Sequence, residues 1–191
     1  MFNWLENADR LEGSNEEVLS SFIFLPYLIV LIMWIIDFEA SGLSKQSYPI
    51  EVGLCSETVE YQALIKPMPH WSYWSDDAES IHNISRSKLE SEGIDPTTVA
   101  YSLNRILSAQ IVYCDALHWD SFWCNALFSD TGIHQEFELR DIQELIGGSE
   151  NHLRAFIKER EKLEDSDKFT VHRALDDAKI IRKALKVALA G

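Results

Sequence analysis

Positive charge is scarce in this sequence: 17 Lys and Arg stand against 31 Asp and Glu, a formal net charge of -14 over 191 residues. A broad basic surface that coats long nucleic acid is thereby excluded, because that mode takes many Lys and Arg contacts to phosphate. A grip on a few nucleotides at one end is not excluded, since bound cations can neutralise the site and the phosphate together. Cysteine is scarce too. Cys55, Cys114 and Cys124 form no Cys-x-x-Cys pair, which points to reduced, buried thiols in a cytoplasmic protein. Repeats and low-complexity segments are lacking, and so is a hydrophobic run long enough for a bilayer. The best candidate, residues 22–36, is interrupted by Pro26 and falls short of the roughly 20 residues a membrane requires. The residues before it carry Glu6, Asp9, Glu12, Glu16 and Glu17 against Arg10 alone, unlike the positive start of a signal peptide. Residues 1–32 therefore read as an acidic and apolar extension whose apolar part packs on the domain, or as a stretch upstream of a functional start at Met33. A membrane anchor is the less favoured reading. Residues 33–191 make one domain, long enough for a sizeable core.

What the sequence does have is an apolar strand that ends in acids. Residues 33–43 read Met-Trp-Ile-Ile-Asp-Phe-Glu-Ala-Ser-Gly-Leu. The large apolar residues, with β-branched Ile35 and Ile36, predict a buried strand, with Gly42 closing the turn after it. Side chains alternate along a strand, so Asp37 and Glu39 share a face. Two anions side by side repel unless something positive lies between them, and hard divalent cations take carboxylate oxygens. A metal site is the hypothesis this pair raises; a solvated pair at a strand end is the alternative.

Two further strands are predicted over 50–56 and 61–66, in an antiparallel meander with the first. Pro67, Pro69, His70, Trp71, Tyr73 and Trp74 form a loop, and Ser75 caps a short helix over 76–82. A second brief helix spans 87–93 and ends at glycine. Asp95-Pro96-Thr97 opens an amphipathic helix carrying Val99, Leu103, Ile106 and Leu107 on one face. A strand over 111–114 leads to a helix over 120–127. An extended segment over 137–142 precedes a helix from about 151, and residues 158–168 read as a solvated, charged helix end or loop. A helix over 173–190 closes the chain. The order predicts an α/β protein, a mixed five-stranded sheet flanked by helices.

Further acids stand where they could converge on Asp37 and Glu39. Asp120 follows the fourth strand at a strand-to-helix junction, and His172 precedes the last helix with Asp176 and Asp177 in its opening turns. Together Asp37-Phe38-Glu39, Asp120, and His172 with Asp177 five residues on resemble, in order and separation, the three motifs of the DEDDh family of 3′→5′ exonucleases. That group includes the polymerase proofreading subunit and ribonuclease T, and the resemblance covers residues 33–190. Gly42-Leu43 is similar to the turn that presses a hydrophobic side chain on the terminal bases. His82-Asn83-Ile84 resembles the family's His-Gly-Ile segment beside the terminal nucleotide, with Asn accepting the left-handed geometry of glycine. The chain departs from the family at Phe38, where a smaller residue is common, and at Cys114-Asp115-Ala116, where many members have His-Asn.

The resemblance implies an RNase H-like fold and two divalent ions, Mg²⁺ or Mn²⁺, about 4 Å apart. It implies Asp37, Glu39, Asp120 and Asp177 as their ligands, with His172 as the base that takes the proton of the attacking water, a role suited to imidazole. Phe38, Ala40, Leu43 and His82 are the implied substrate contacts. The expected activity is removal of nucleoside 5′-monophosphates from the 3′ end of single-stranded DNA or RNA. Asp37 to Leu43 is similar to the first motif of oligoribonuclease as well, so an exoribonuclease on short RNA is an alternative, and a silent nucleic-acid-binding or partner-docking module is another. The extension could dock the domain on a polymerase or repair partner. Among the tryptophans, Trp119 and Trp123 read as core, and Trp71 and Trp74 as candidates for stacking on bases. Arg86, Lys88, Arg140 and Arg173 are the candidate phosphate contacts, and His70, His118, His134 and His152 read as surface or capping residues.

Overall fold

The computed structural model describes residues 33–190, so the extension expected over 1–32 lies outside the described residues. Five strands, β1 (Trp34–Ala40), β2 (Pro49–Cys55), β3 (Glu60–Leu64), β4 (Ile111–Cys114) and β5 (Glu138–Asp141), form one sheet in the order β3-β2-β1-β4-β5. The hairpin side is antiparallel, β1 with β2 and β2 with β3. The other side is parallel, β1 with β4 and β4 with β5. The expected mixed five-stranded sheet flanked by helices is what the chain forms.

The seven helices among the described residues are α1 (Asp76–His82), α2 (Arg86–Glu92), α3 (Pro96–Leu107), α4 (Leu117–Thr131), α5 (Gln143–Ile146), α6 (Glu150–Glu164) and α7 (Ala174–Ala190). Side-chain caps explain several starts: Ser75 accepts from Ala78, Ser85 from Lys88, Asp95 from Thr97 and Thr98, and Ser149 from His152, each satisfying amide groups that a first turn leaves open. Helix α4 begins three residues before the predicted start because Ala116 caps it with no side-chain bond, leaving no signal in the sequence. None of these helices is long and apolar enough to cross a membrane.

Alternation along β1 divides the core and aims the acids. Ile36, Phe38 and Ala40 pack with Val99 and Leu103 of α3 and Trp123 and Leu127 of α4 on one face. Met33 and Ile35 pack with Phe156 of α6 and Ile181 and Leu185 of α7 on the other. Asp37 and Glu39 continue the odd-numbered series and so turn toward α7.

Helix α7 comes that close because of one glycine. Gly53 pairs with Asp37 across β1 and β2, and a Cβ placed on it would lie 2.0 Å from the Leu175 nitrogen and 2.2 Å from the Ala174 carbonyl carbon. Both are backbone atoms, so no change of rotamer makes room. Gly53→Ala is expected to push the start of α7 off the sheet and to cost about 1–3 kcal/mol or more, the range for overpacking. A thermal melt matching that of the wild type would show that α7 does not need this contact.

Candidate active site

The site is built where β1 ends against the start of α7. Asp37 and Glu39 come from β1, Asp177 from the first turn of α7, and His172 from the loop before it. That loop is held from both sides. The His172 amide donates to the Asp177 carboxylate at 2.9 Å, and the Thr170 amide to Asp176 at 2.9 Å. His172 has φ of 63°, left-handed backbone that few non-glycine residues adopt; at a functional site such a conformation persists when its surroundings impose it. Asp176 is thus a tether for the loop, while Asp177 lines the acidic cleft with Asp37, Glu39 and His172. The cleft encloses about 340 Å³.

Glu51 is the main anchor. It lies opposite Glu39 in the β1–β2 register and is fully buried. Its two oxygens accept from Gln62 at 2.8 Å, from Arg173 Nη2 and Nε at 2.6 and 3.1 Å, and from the Ala174 amide at 3.1 Å. One carboxylate from the sheet therefore caps α7 and fixes the residue that follows His172. Sequence reasoning passed over it, although a Glu between Ile50 and Val52 in an apolar strand signals a buried, paired charge.

Asp120 sits in the first turn of α4 and is 1% exposed, with Oδ2 lacking a hydrogen-bond partner among the described residues. As free carboxyl groups these acids oppose one another. Burial, then the neighbouring Asp120, Asp177 and Glu39, push Asp37 well above the usual carboxylate range. Burial and the charges of Asp177 and Glu51 push Glu39 up to about 8, with Arg173 opposing. Burial and then Asp115 push Asp120 up to about 8, against the Cys114 thiol and the backbone of Ala116 and Phe38. Burial raises Asp177 to about 7, against the His172 amide and Arg160. Glu39, His172 and Asp177 offer ligand atoms that all lie within 4.8 Å of one another. Mostly carboxylate donors, an orphaned buried oxygen and mutual repulsion suit a hard divalent cation.

Beside the cleft lies a smaller, mostly apolar pocket of about 210 Å³, sharing Phe38, Glu39 and His172 with it. The four expected substrate contacts, Phe38, Ala40, Leu43 and His82, all line it, together with Ile81 and Trp123. Leu43 is 71% exposed at its mouth and His82 only 3% at its wall. The His82 Nδ1 accepts from the Ile84 amide, and its ring meets Trp74 edge-on.

The expectation for Trp71 changes, and Trp74 and the candidate arginines have partners of their own. Trp71 is buried, stacked on Tyr48, with its indole donating to Asp130 at 2.6 Å; it belongs to the core and is closed to bases. Trp74 donates to Glu79. Arg173 is engaged by Glu51, Arg140 by Glu138 and Glu144, and Arg86 by Tyr48 and Glu90. Lys88 lines a different hollow, with Asp76 and Glu79. The cation that does line the acidic cleft is Arg160 of α6, bonded to Asp115 and Glu164 at 2.6 Å each. Sequence gave it no distinction within the charged run over 158–168, which is helical as far as Glu164.

No family model and no curated protein matches the sequence. Solved structures do resemble the fold. The zinc-bound form of Escherichia coli exonuclease I in complex with single-stranded DNA superposes with a TM-score of 0.62 at 13% identity, over 81% of this chain and 39% of that one. The same enzyme in complex with a dA16 oligonucleotide gives 0.63 at 11% identity, over 81% and 40%. Exonuclease I of Methylocaldum szegediense gives 0.56 at 12% identity, over 79% and 38%. At these identities the likeness is one of fold, the RNase H-like sheet and its helices, and the chain spans about two fifths of the exonuclease chains it matches.

Proposed function

We propose that this chain is a divalent-metal-dependent exonuclease that hydrolyses phosphodiester bonds from the 3′ end of single-stranded nucleic acid and releases nucleoside 5′-monophosphates. The observation that carries the reading is the convergence of Asp37, Glu39, Asp177 and His172 on one cleft, with the buried Asp120 close enough to raise Asp37. The fold shared with exonuclease I supports it. Asp37, Glu39, Asp120 and Asp177 would hold the metal ions. When bound, such ions neutralise charge on the phosphate and make water acidic enough to supply a nucleophile near neutral pH.

The remaining work falls to the chain itself. His172 is exposed at the cleft, and its backbone is pinned through its own amide to Asp177, so its ring is free to accept the proton of an attacking water. The apolar pocket, with Leu43 at its edge, receives the terminal nucleotide and orients the bond to be cut beside Glu39 and His172.

Digestion of matched 5′-labelled single-stranded DNA and RNA with Mg²⁺ or Mn²⁺ tests this. A ladder shrinking from the 3′ end, abolished by EDTA and by Asp37→Ala, and reduced about 100-fold or more by His172→Ala, is the expected result, and the faster ladder identifies the sugar. Intact strands under every condition would leave a binding module instead.

A further inference from the structure

A nucleic-acid strand entering this cleft meets a wall of carboxylates on a chain with net charge -14, and among the described residues that line it the cation is Arg160. Its side chain keeps 38% of its surface exposed, and α6 carries it over the cleft beside Asp37, His172 and Asp177. Two acids hold the guanidinium as a fork. Nη1 donates to Asp115 Oδ2 and Nε to Glu164 Oε1, each at 2.6 Å. These bonds leave the Nη2 amino group without a partner among the described residues. A guanidinium offers five N–H donors in one plane, so a side chain held at both Nε and Nη1 keeps that plane fixed and leaves Nη2, between them, to donate to a phosphate oxygen.

We propose that Arg160 grips a backbone phosphate of the bound strand through Nη2, with Asp115 and Glu164 setting the plane of the fork. The inference rests on the nuclease reading and adds to it the residue that draws the anionic strand to an acidic site. Asp115 then acquires a purpose: it stands at the point where the sequence departs from the family pattern, and its charge turns Arg160 toward the cleft.

The test uses the full chain in Mg²⁺, as wild type, Arg160→Lys and Arg160→Ala, with thermal melts to establish folding. Arg160→Ala is expected to raise KM for a single-stranded oligonucleotide about 10- to 100-fold, the range for a charge-assisted hydrogen bond, with Arg160→Lys in between. In a His172→Ala background, where the strand persists, anisotropy of a labelled oligonucleotide across salt concentrations is expected to lose about 0.7 in the slope of log K against log salt with Arg160→Ala. Neutral methylphosphonates placed in turn at the last three linkages give the reading a purely structural arginine would not move. One linkage is expected to weaken wild-type binding and leave Arg160→Ala unaffected. Equal penalties in both proteins at every linkage, or an unchanged KM and salt slope, would overturn the inference while the nuclease reading stands. A wild type that binds but never cuts would overturn the nuclease reading, and the anisotropy series would still decide whether Arg160 holds phosphate.

Discussion

Glu51→Ala is expected to lower the stability of the protein by about 3–5 kcal/mol, the range for removing one partner of a buried ion pair. The loss is large because the carboxylate is fully buried and serves Gln62, two donors on one edge of Arg173 and the Ala174 amide at once. Alanine leaves each donor unmatched, and the Arg173 guanidinium loses the counter-charge that offsets its partial burial. Against the usual total of about 5–15 kcal/mol for a domain, this brings the chain near the folding threshold. Glu51→Gln keeps the volume and one acceptor oxygen, so the Ala174 cap survives in part while the charge on Arg173 goes unanswered; an intermediate loss is expected. Urea titration measures both. The substitution also bears on chemistry, because Arg173 directly follows His172. Turnover by Glu51→Gln is expected to fall by more than its stability accounts for at temperatures where it is fully folded. A variant with wild-type urea midpoint would show that Glu51 is not the anchor of α7, and one with wild-type turnover that His172 holds its place without it.

Where the sequence was readable, a local rule sufficed. The alternation that places Asp37 beside Glu39 follows from strand geometry, and the caps at Ser75 and Asp95 mark their helices in the chain itself. Spacing sets His172 against Asp177 because both lie within one loop-to-helix entry. What the sequence hid depends on pairs far apart. Glu51 meets Arg173 across 122 positions and Arg160 meets Asp115 across 45, and no local pattern announces either partner. Gly53 reads as an ordinary strand glycine until α7 is laid on it. Trp71 illustrates the opposite error. Its loop of prolines and aromatics suggests exposure, but stacking on Tyr48 and the bond to Asp130 draw the ring into the core.

Removing divalent cations is expected to make this protein markedly pH-sensitive, with stability falling as pH rises. The sign follows from the acids. In the folded chain Glu39 and Asp120 are pushed up to about 8, Asp177 to about 7, and Asp37 well above its usual range, while in the unfolded chain all of them ionise near 4. Between those limits the folded state holds more protons than the unfolded state, so stability falls with pH. The contribution is fully present below about pH 4 and is lost as pH rises through about 7 to 8. The shifts do not add in full, because a proton taken up by one acid relieves its neighbours. A net effect of several kcal/mol, roughly 10 °C in melting temperature for a chain of this size, is expected between pH 5 and 8 in EDTA. Mg²⁺ or Mn²⁺ bound as proposed would displace those protons, so the upward shift in melting temperature on adding the ion is expected to be larger at pH 8 than at pH 5. Asp120→Asn gives the sharpest check. Neutralising a buried carboxylate whose Oδ2 has no partner among the described residues removes part of the repulsion, so in EDTA at pH 8 this variant is expected to melt above the wild type, to respond less to Mg²⁺, and to cut nucleic acid poorly. A melting temperature flat in pH for the metal-free wild type, or a destabilised Asp120→Asn, would mean that the acids are relieved by some other contact. The four carboxylates would then not form the ion-dependent site proposed for them.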